Sequence, residues 1–220
     1  MHSQSDPFAR ARQQMVETQL RTRGIRDDRV LAAMAKVPRH MFVAEHFQAQ
    51  AYEDHPVPIG FGQTISQPFI VALMLEALAV QPGDSVLEVG TGSGYQTALL
   101  AELAARVCSI ERHVGLAQHA ESVLRSLGYR NVVVVVGDGS RGVADYAPYD
   151  DIIVSAAAPS IPSSLFEQLA EAGRMVIPIG PAQSQELQLV RKQQGKMVIS
   201  FLEGCRFVPL IGEQGYRSDD

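Results

Sequence analysis

Cysteine is scarce in this chain, with Cys108 and Cys205 the only two. Their number and spacing suit neither a disulfide framework nor a zinc knuckle. Cys108 sits in the apolar run 107–110 and reads as a small core residue. The six histidines form no HExxH-type pair, so no metal site is expected. No apolar run approaches the ~18 residues of a membrane span. The first eight residues lack the apolar heart of a signal peptide, which points to a reducing cytoplasm. Positive charge is also in deficit: 19 Lys and Arg face 24 Asp and Glu, for a net charge of -5. That balance offers no general attraction to nucleic acid or to an anionic membrane, although it leaves room for a local basic patch. Repeats and low-complexity linkers are missing as well. What remains is 220 residues, 46% hydrophobic and 20% charged, enough to bury the core of one α/β domain.

The first fifty residues read as a helical cap. An amphipathic run over 11–23 closes at Gly24, Asp27 or Asp28 caps a second helix that ends at Lys36 before Pro38, and a third short helix is expected over 39–47. Residues 52–67 are rich in Gly and Pro and read as irregular. Pro68 then opens a helix through Leu78. After the turn signal Gln81-Pro82-Gly83-Asp84, strands and helices alternate. Strands are expected at 85–89, 106–110, 132–136, 151–154, 174–179, 187–191 and 197–202. Helices are expected at 95–105, 115–127 and 163–171. The five valines 132–136 read as a strand buried on both faces. This alternation predicts a doubly wound, mainly parallel, seven-stranded sheet. The whole chain reads as one domain: cap 1–50, a substrate-facing loop and helix 51–80, and an α/β core with a C-terminal substrate segment 81–220. The order of the last two strands stays open.

Chemistry concentrates after the first core strand, in Glu88-Val89-Gly90-Thr91-Gly92-Ser93-Gly94-Tyr95. Glycines let a ligand approach a tight strand-to-helix turn closely. A dinucleotide site wants Gly-x-Gly-x-x-Gly, whereas here the spacing is Gly-x-Gly-x-Gly and Tyr95 stands where the third glycine would be. Glu88 would repel a pyrophosphate but suits an ammonium, directly or through water. S-adenosylmethionine is a cation with an amino-acid tail and no phosphate, and the loop resembles motif I of the Rossmann-like methyltransferases. Glu111 ends the next strand and suits ribose hydroxyls, with Arg112 beside it. Asp138 and Gly139 follow the valine strand, where an acceptor meets an adenine amino group. These segments fall at the carboxyl ends of parallel strands, where such sheets bind ligands. Taken singly, Glu111 or Asp138 reads equally well as a strand-end turn. His113, two residues after Glu111, reads as a solvated loop residue, with a place near the adenine as the alternative.

The acceptor is a separate question. After the fourth strand, base and amide methyltransferases often carry Asn/Asp-Pro-Pro-Tyr. Here Ser155-Ala156-Ala157-Ala158-Pro159 offers no amide, which argues against N-methylation. The stretch Pro58-Ile59-Gly60-Phe61-Gly62-Gln63-Thr64-Ile65-Ser66-Gln67-Pro68 resembles the signature of the protein-L-isoaspartate O-methyltransferase family. The resemblance extends to Val37-Pro38-Arg39, Phe42-Val43, the 88–95 loop, Gly137-Asp138-Gly139, 156–159 and Arg206-Phe207-Val208-Pro209-Leu210. Ser140, Cys205 and the tail after Leu210 depart from its pattern. The resemblance implies a Rossmann-like fold and methyl transfer from S-adenosylmethionine, leaving S-adenosylhomocysteine. The acceptor is the α-carboxylate of L-isoaspartyl residues in damaged proteins, with D-aspartyl residues as a further acceptor. The ester then closes to a succinimide, whose hydrolysis returns some normal aspartate.

On this reading Ser66 is the catalytic residue, its neutral hydroxyl donating to the acceptor carboxylate at the start of a helix whose free N–H groups favour an anion. The plainer alternative is a helix N-cap. The cofactor set is Thr64, Ile65, Ser66, Glu88, Gly90, Thr91, Gly92, Ser93, Gly94, Tyr95, Glu111, Arg112, Asp138 and Gly139. The substrate set is Ile59, Gly60, Ser66, Val208, Pro209 and Leu210. The 206–210 segment reads either as an edge strand or as a clasp for an extended peptide by strand addition. A monomer is expected. Alternatives are a methyltransferase for another carboxylate or hydroxyl, and a non-catalytic S-adenosylmethionine-binding protein.

Overall fold

The fold is described from a computed structural model, over residues 6–181 and 183–217. The chain enters as helix α1 (Ala9–Met15), widens into a π turn over Val16–Leu20, tightens into a 3-10 turn over Arg21–Arg23 and stops at Gly24, with φ +99°. The expected helix over 11–23 therefore has the right extent but uneven winding. Thr18 and Thr22 donate back to the carbonyls of Gln14 and Thr18, a local competition that loosens the regular ladder. Helix α2 (Asp28–Lys36) is capped by Asp27, whose carboxylate accepts from the amides of Arg29 and Val30. The helix expected over 39–47 is instead two 3-10 turns, Arg39–Phe42 and Glu45–Gln50, separated by extended backbone at Val43 and Ala44.

The stretch read as irregular contains a hairpin of β1 (Val57–Gly60) and β2 (Gln63–Ile65). Its turn needs positive φ at three successive residues, Gly60, Phe61 and Gly62, so glycine brackets the aromatic tip. Helix α3 (Pro68–Leu78) has Pro68 in its first turn and ends at Ala79 in a left-handed cap.

The core runs β3 (Ser85–Val89), α4 (Tyr95–Leu103), β4 (Arg106–Glu111), α5 (Val114–Ser126), β5 (Val132–Val136), β6 (Tyr149–Val154), α6 (Ser163–Gln168), β7 (Leu169–Ile179), β8 (Gln185–Gln193) and β9 (Lys196–Cys205). The seven strands lie in the order β5-β4-β3-β6-β7-β8-β9. The first five are mutually parallel, and β8 and β9 are added antiparallel. This is the expected Rossmann-like, mainly parallel sheet, and it settles the order of the last strands.

Side chains alternate across the sheet. Val86, Val107 and Ile153 join one core with the cap, α3 and α4, while Leu87, Cys108, Ile152 and Val154 join the other with α6. Two expectations need correction. The valine strand β5 is an edge strand rather than a doubly covered one, with Val133 42% and Val136 50% exposed. The helix expected to reach residue 171 stops at Gln168 because β7 begins there. A bulge at Ala172 (φ +65°) and Gly173 lets β7 start early, and a Cβ on Gly173 would lie 2.7 Å from the Asp150 carbonyl.

Strand order reverses beside β3: the chain moves outward to β4 and β5, then crosses back to β6. A crevice is expected at the carboxyl ends there. It is bounded by the β3–α4 loop and the end of β6, which come close enough that a Cβ on Gly90 would meet Ser155 Cβ at 3.5 Å.

Candidate active site

Two cavities meet at this crevice. The first, about 130 Å³, is lined by the β3–α4 loop, the end of β4, Gly139, the β2–α3 segment and residues 208–211. The second is an open groove of about 840 Å³ between Pro56, Gln67 and Ile70 on one side and Ser184 and 204–209 on the other. Thr64, Ser66, Ser155, Val208 and Pro209 line both.

The glycine loop of the first cavity spends its amides internally. Gly90 N and Thr91 N donate to the Ile110 carbonyl, Gly94 N to the Thr91 carbonyl, and Gly92 N to Glu111 Oε2 at 3.0 Å. A phosphate cradle needs free amides, so this loop is unsuited to a diphosphate. Glu111 sits in the wall, 6% exposed, with Oε1 accepting from His113 N at 2.9 Å. A fixed, acceptor-only carboxylate at a strand end suits hydroxyl donors such as those of a ribose. The donor set thus fits an S-adenosylmethionine-type nucleoside and disfavours a dinucleotide.

Of the expected cofactor residues, Thr64, Ile65, Ser66, Gly90, Thr91, Gly92, Ser93, Tyr95, Glu111, Arg112 and Gly139 line the cavity. Three lie elsewhere. Glu88 is fully buried beneath the loop, accepting from Thr97 and Ser109 hydroxyls at 2.5 and 2.7 Å and from Gln96 Nε2 at 3.2 Å. Burial pushes its pKa up to about 7, against the pull of those donors. Gly94 serves helix packing: a Cβ there would meet Ala120 Cβ of α5 at 3.1 Å. Asp138 turns away, accepting from the amide and hydroxyl of Ser140 and from the Glu213 amide, which pins the C-terminal tail. Burial opposes ionisation there, but these donors outweigh it and hold its pKa below the usual value. Among the expected substrate residues, Ile59 and Gly60 line neither cavity. Ile59 packs at Gly92, where an added Cβ would lie 3.4 Å from its Cδ1.

Ser66 stands on the wall common to both cavities, and its hydroxyl has no hydrogen-bond partner among the described residues. The N-cap reading fails, because the cap position of α3 falls on Gln67 and no side chain caps that helix. The Ser66 carbonyl accepts from Arg39 at 2.7 Å. Arg39 is fully buried, donates also to the Ala51 carbonyl at 2.6 Å, and lies 4.8 Å above the Tyr95 ring. Burial lowers its pKa to about 10, so it stays cationic at neutral pH and braces the Ser66 loop from behind.

The 206–210 segment is not a free edge strand. Val208 O and Leu210 N are spent on Ala157, at 2.8 and 2.7 Å, and Phe207 N on the Gln185 side chain. Gln63, Gln96, Ser155, Ala156 and Ile211, placed in neither expected set, also line the first cavity, and His113 lines it too, a correction to its reading as a solvated loop residue. The hairpin tip closes on this site as Phe61 lies 5.3 Å from the His113 ring, centroid to centroid, and fits against Gly115. Glycine there leaves no signal in a sequence until the ring that fills its space is known. Among the described residues no group of three His, Cys, Asp or Glu could hold a metal, and no helix is long and apolar enough to cross a membrane.

Comparison with known proteins agrees with this geometry. Residues 10–215 match the model of the family described as "Protein-L-isoaspartate(D-aspartate) O-methyltransferase". A protein-L-isoaspartate O-methyltransferase of Koribacter versatilis is 59% identical over 209 residues, covering 95% of this chain and 94% of the relative. One from Methanoculleus marisnigri is 52% identical over 216 residues, 98% of each. Among solved structures, a protein-L-isoaspartate O-methyltransferase of Plasmodium falciparum in complex with S-adenosyl-L-homocysteine is 29% identical. It superposes with a TM-score of 0.80 over 91% of this chain and 98% of that one.

Proposed function

The chain belongs to the protein-L-isoaspartate(D-aspartate) O-methyltransferase family, and from that premise we propose how its two cavities divide the reaction. The protein is an S-adenosylmethionine-dependent O-methyltransferase that esterifies the α-carboxylate of L-isoaspartyl residues and so starts their repair through a succinimide. In our reading the first cavity takes the cofactor, against the glycine loop and Glu111, and the groove takes the isoaspartyl segment of a damaged protein. The observation that carries this division is their common wall: only a group seated there is within reach of both ligands.

S-adenosylmethionine supplies the electrophilic methyl when bound. The protein's task is positional. The acceptor is an α-carboxylate, with a reference pKa of ~3.5, so it is ionised at neutral pH and needs no base. Holding it in line and stripping its water supplies up to about 7–11 kcal/mol of the barrier in favourable cases. Ser66 donates its otherwise unpartnered hydroxyl to that carboxylate, while Arg39 fixes the loop and adds a buried positive charge behind it. A neutral donor leaves the nucleophile its charge, whereas a lysine would favour the ground state. The reading is of a monomer, and the free thiols of Cys108 and Cys205 are in keeping with a reducing cytoplasm.

Labelled methyl transfer to an isoaspartyl peptide, with its aspartyl isomer as control, tests the assignment; equal labelling of the two would refute it. Ser66→Ala is expected to lower turnover about 10- to 100-fold, the worth of a hydrogen bond to a charged group, with little change in cofactor affinity. Wild-type turnover in that variant would remove Ser66 from the reaction.

A further inference from the structure

Ser155 is the first residue after β6, and it also lines both cavities. Its hydroxyl oxygen accepts from Gln96 Nε2 at 2.8 Å. The same nitrogen donates to Glu88 Oε1 at 3.2 Å. An amide nitrogen has two hydrogens, and these contacts use both. Glu88 cannot turn to offer something else, because its other oxygen is held by the Thr97 and Ser109 hydroxyls. In its ionised form Glu88 only accepts, so it decides which end of the Gln96 amide faces Ser155, and with it the polarity of the Ser155 hydroxyl. Since Ser155 Oγ receives a hydrogen from the protein, its own hydrogen must go elsewhere. No acceptor for it exists among the described residues, and the space open to it is where cavity and groove meet.

We propose that Ser155 is a second substrate-binding donor, its hydroxyl joining that of Ser66 on the acceptor carboxylate. The inference rests on the reaction assigned above and extends it. Two neutral donors fix the plane of the carboxylate, which one donor leaves free to rotate, and neither quenches its charge. Glu88 and Gln96 are positioning residues in this scheme: they touch no substrate and act by aiming Ser155.

The test uses the full-length protein, an isoaspartyl peptide and S-adenosylhomocysteine. Ser155→Ala should lower kcat/KM for the peptide about 10- to 100-fold, while Ser155→Thr, which keeps the hydroxyl, should stay within about threefold of wild type. Calorimetric affinity for S-adenosylhomocysteine should be unchanged in both. Peptide kcat/KM unchanged in Ser155→Ala would overturn the proposal while leaving the reaction standing. So would a matching loss of S-adenosylhomocysteine affinity, which would assign Ser155 to the cofactor's amino-acid end. A wild-type protein that fails to label the isoaspartyl peptide would overturn the reaction and this role together.

Discussion

Replacing Asp151 with Asn should stabilise the protein, and increasingly so as pH rises. Asp151 lies in β6, 4% exposed, with Oδ2 lacking a hydrogen-bond partner among the described residues. Its register partner across to β7 is Arg174, whose guanidinium is drawn to the Leu78 carbonyl at 2.7 Å. Asp84 faces it from the turn before β3, its own Oδ2 already accepting from Gln81 N, and Asp150 accepts from Ser85 N beside it. Burial first, then Asp84, raises the Asp151 pKa from the usual 3.8 to about 8, and the Arg174 cation only partly opposes this. A group raised in the fold makes the native state bind more protons than the unfolded chain. Its contribution is complete below pH ~4 and is lost as pH climbs through about 8. At ~1.4 kcal/mol per unit the ceiling is ~6 kcal/mol. Half-exposed Asp84 and the Arg174 charge reduce the expected effect to ~2 kcal/mol. Asn keeps a donor toward Asp84 at every pH. Thermal unfolding of both proteins from pH 5 to pH 9 should show a small difference at the acid end, widening to about 4–8 °C at the alkaline end. A difference that does not vary with pH, or a variant less stable throughout, would refute the reasoning that burial and Asp84 keep Asp151 protonated.

Two further outcomes probe the cofactor cavity. Glu111→Ala should weaken S-adenosylmethionine binding about 10- to 100-fold by calorimetry, since it removes a buried acceptor and frees the Gly92 amide; unchanged affinity would take Glu111 out of the ribose role. Gly115→Ala should push Phe61 off its seat, because the new methyl would lie 2.9 Å from the ring, and speed S-adenosylhomocysteine release about three- to tenfold. An unaltered dissociation rate in stopped flow would mean that the hairpin tip does not guard the cavity.

The alternation from Ser85 to Val154 was legible because parallel strands are apolar runs separated by helical periods, and the strands fell where the pattern put them. What such a pattern does not carry is position within the sheet. Five valines mark a strand, but whether a neighbour covers Val133 and Val136 depends on which crossover comes next, and here none does. The hairpin at 57–65 was hidden because its turn depends on positive φ at Phe61, a residue with no preference for it. In the site, residue chemistry was readable and aim was not. Glu88 and Asp138 have the right groups at the right strand ends, yet hydroxyls and amides folded against them claim their oxygens. Ser155 was passed over for the opposite reason: a lone serine after a strand signals nothing until Gln96 is seen to settle its polarity.

The wall common to cavity and groove has a thermodynamic consequence. Thr64, Ser66, Ser155, Val208 and Pro209 face both ligands, so the binding of either bears on the affinity of the other. Linkage requires the effect to be mutual: whatever factor the cofactor adds to peptide affinity, the peptide adds to cofactor affinity. The hold on an isoaspartyl segment is thereby tied to the state of the cofactor, and it changes when the methyl passes to the carboxylate and the ester leaves.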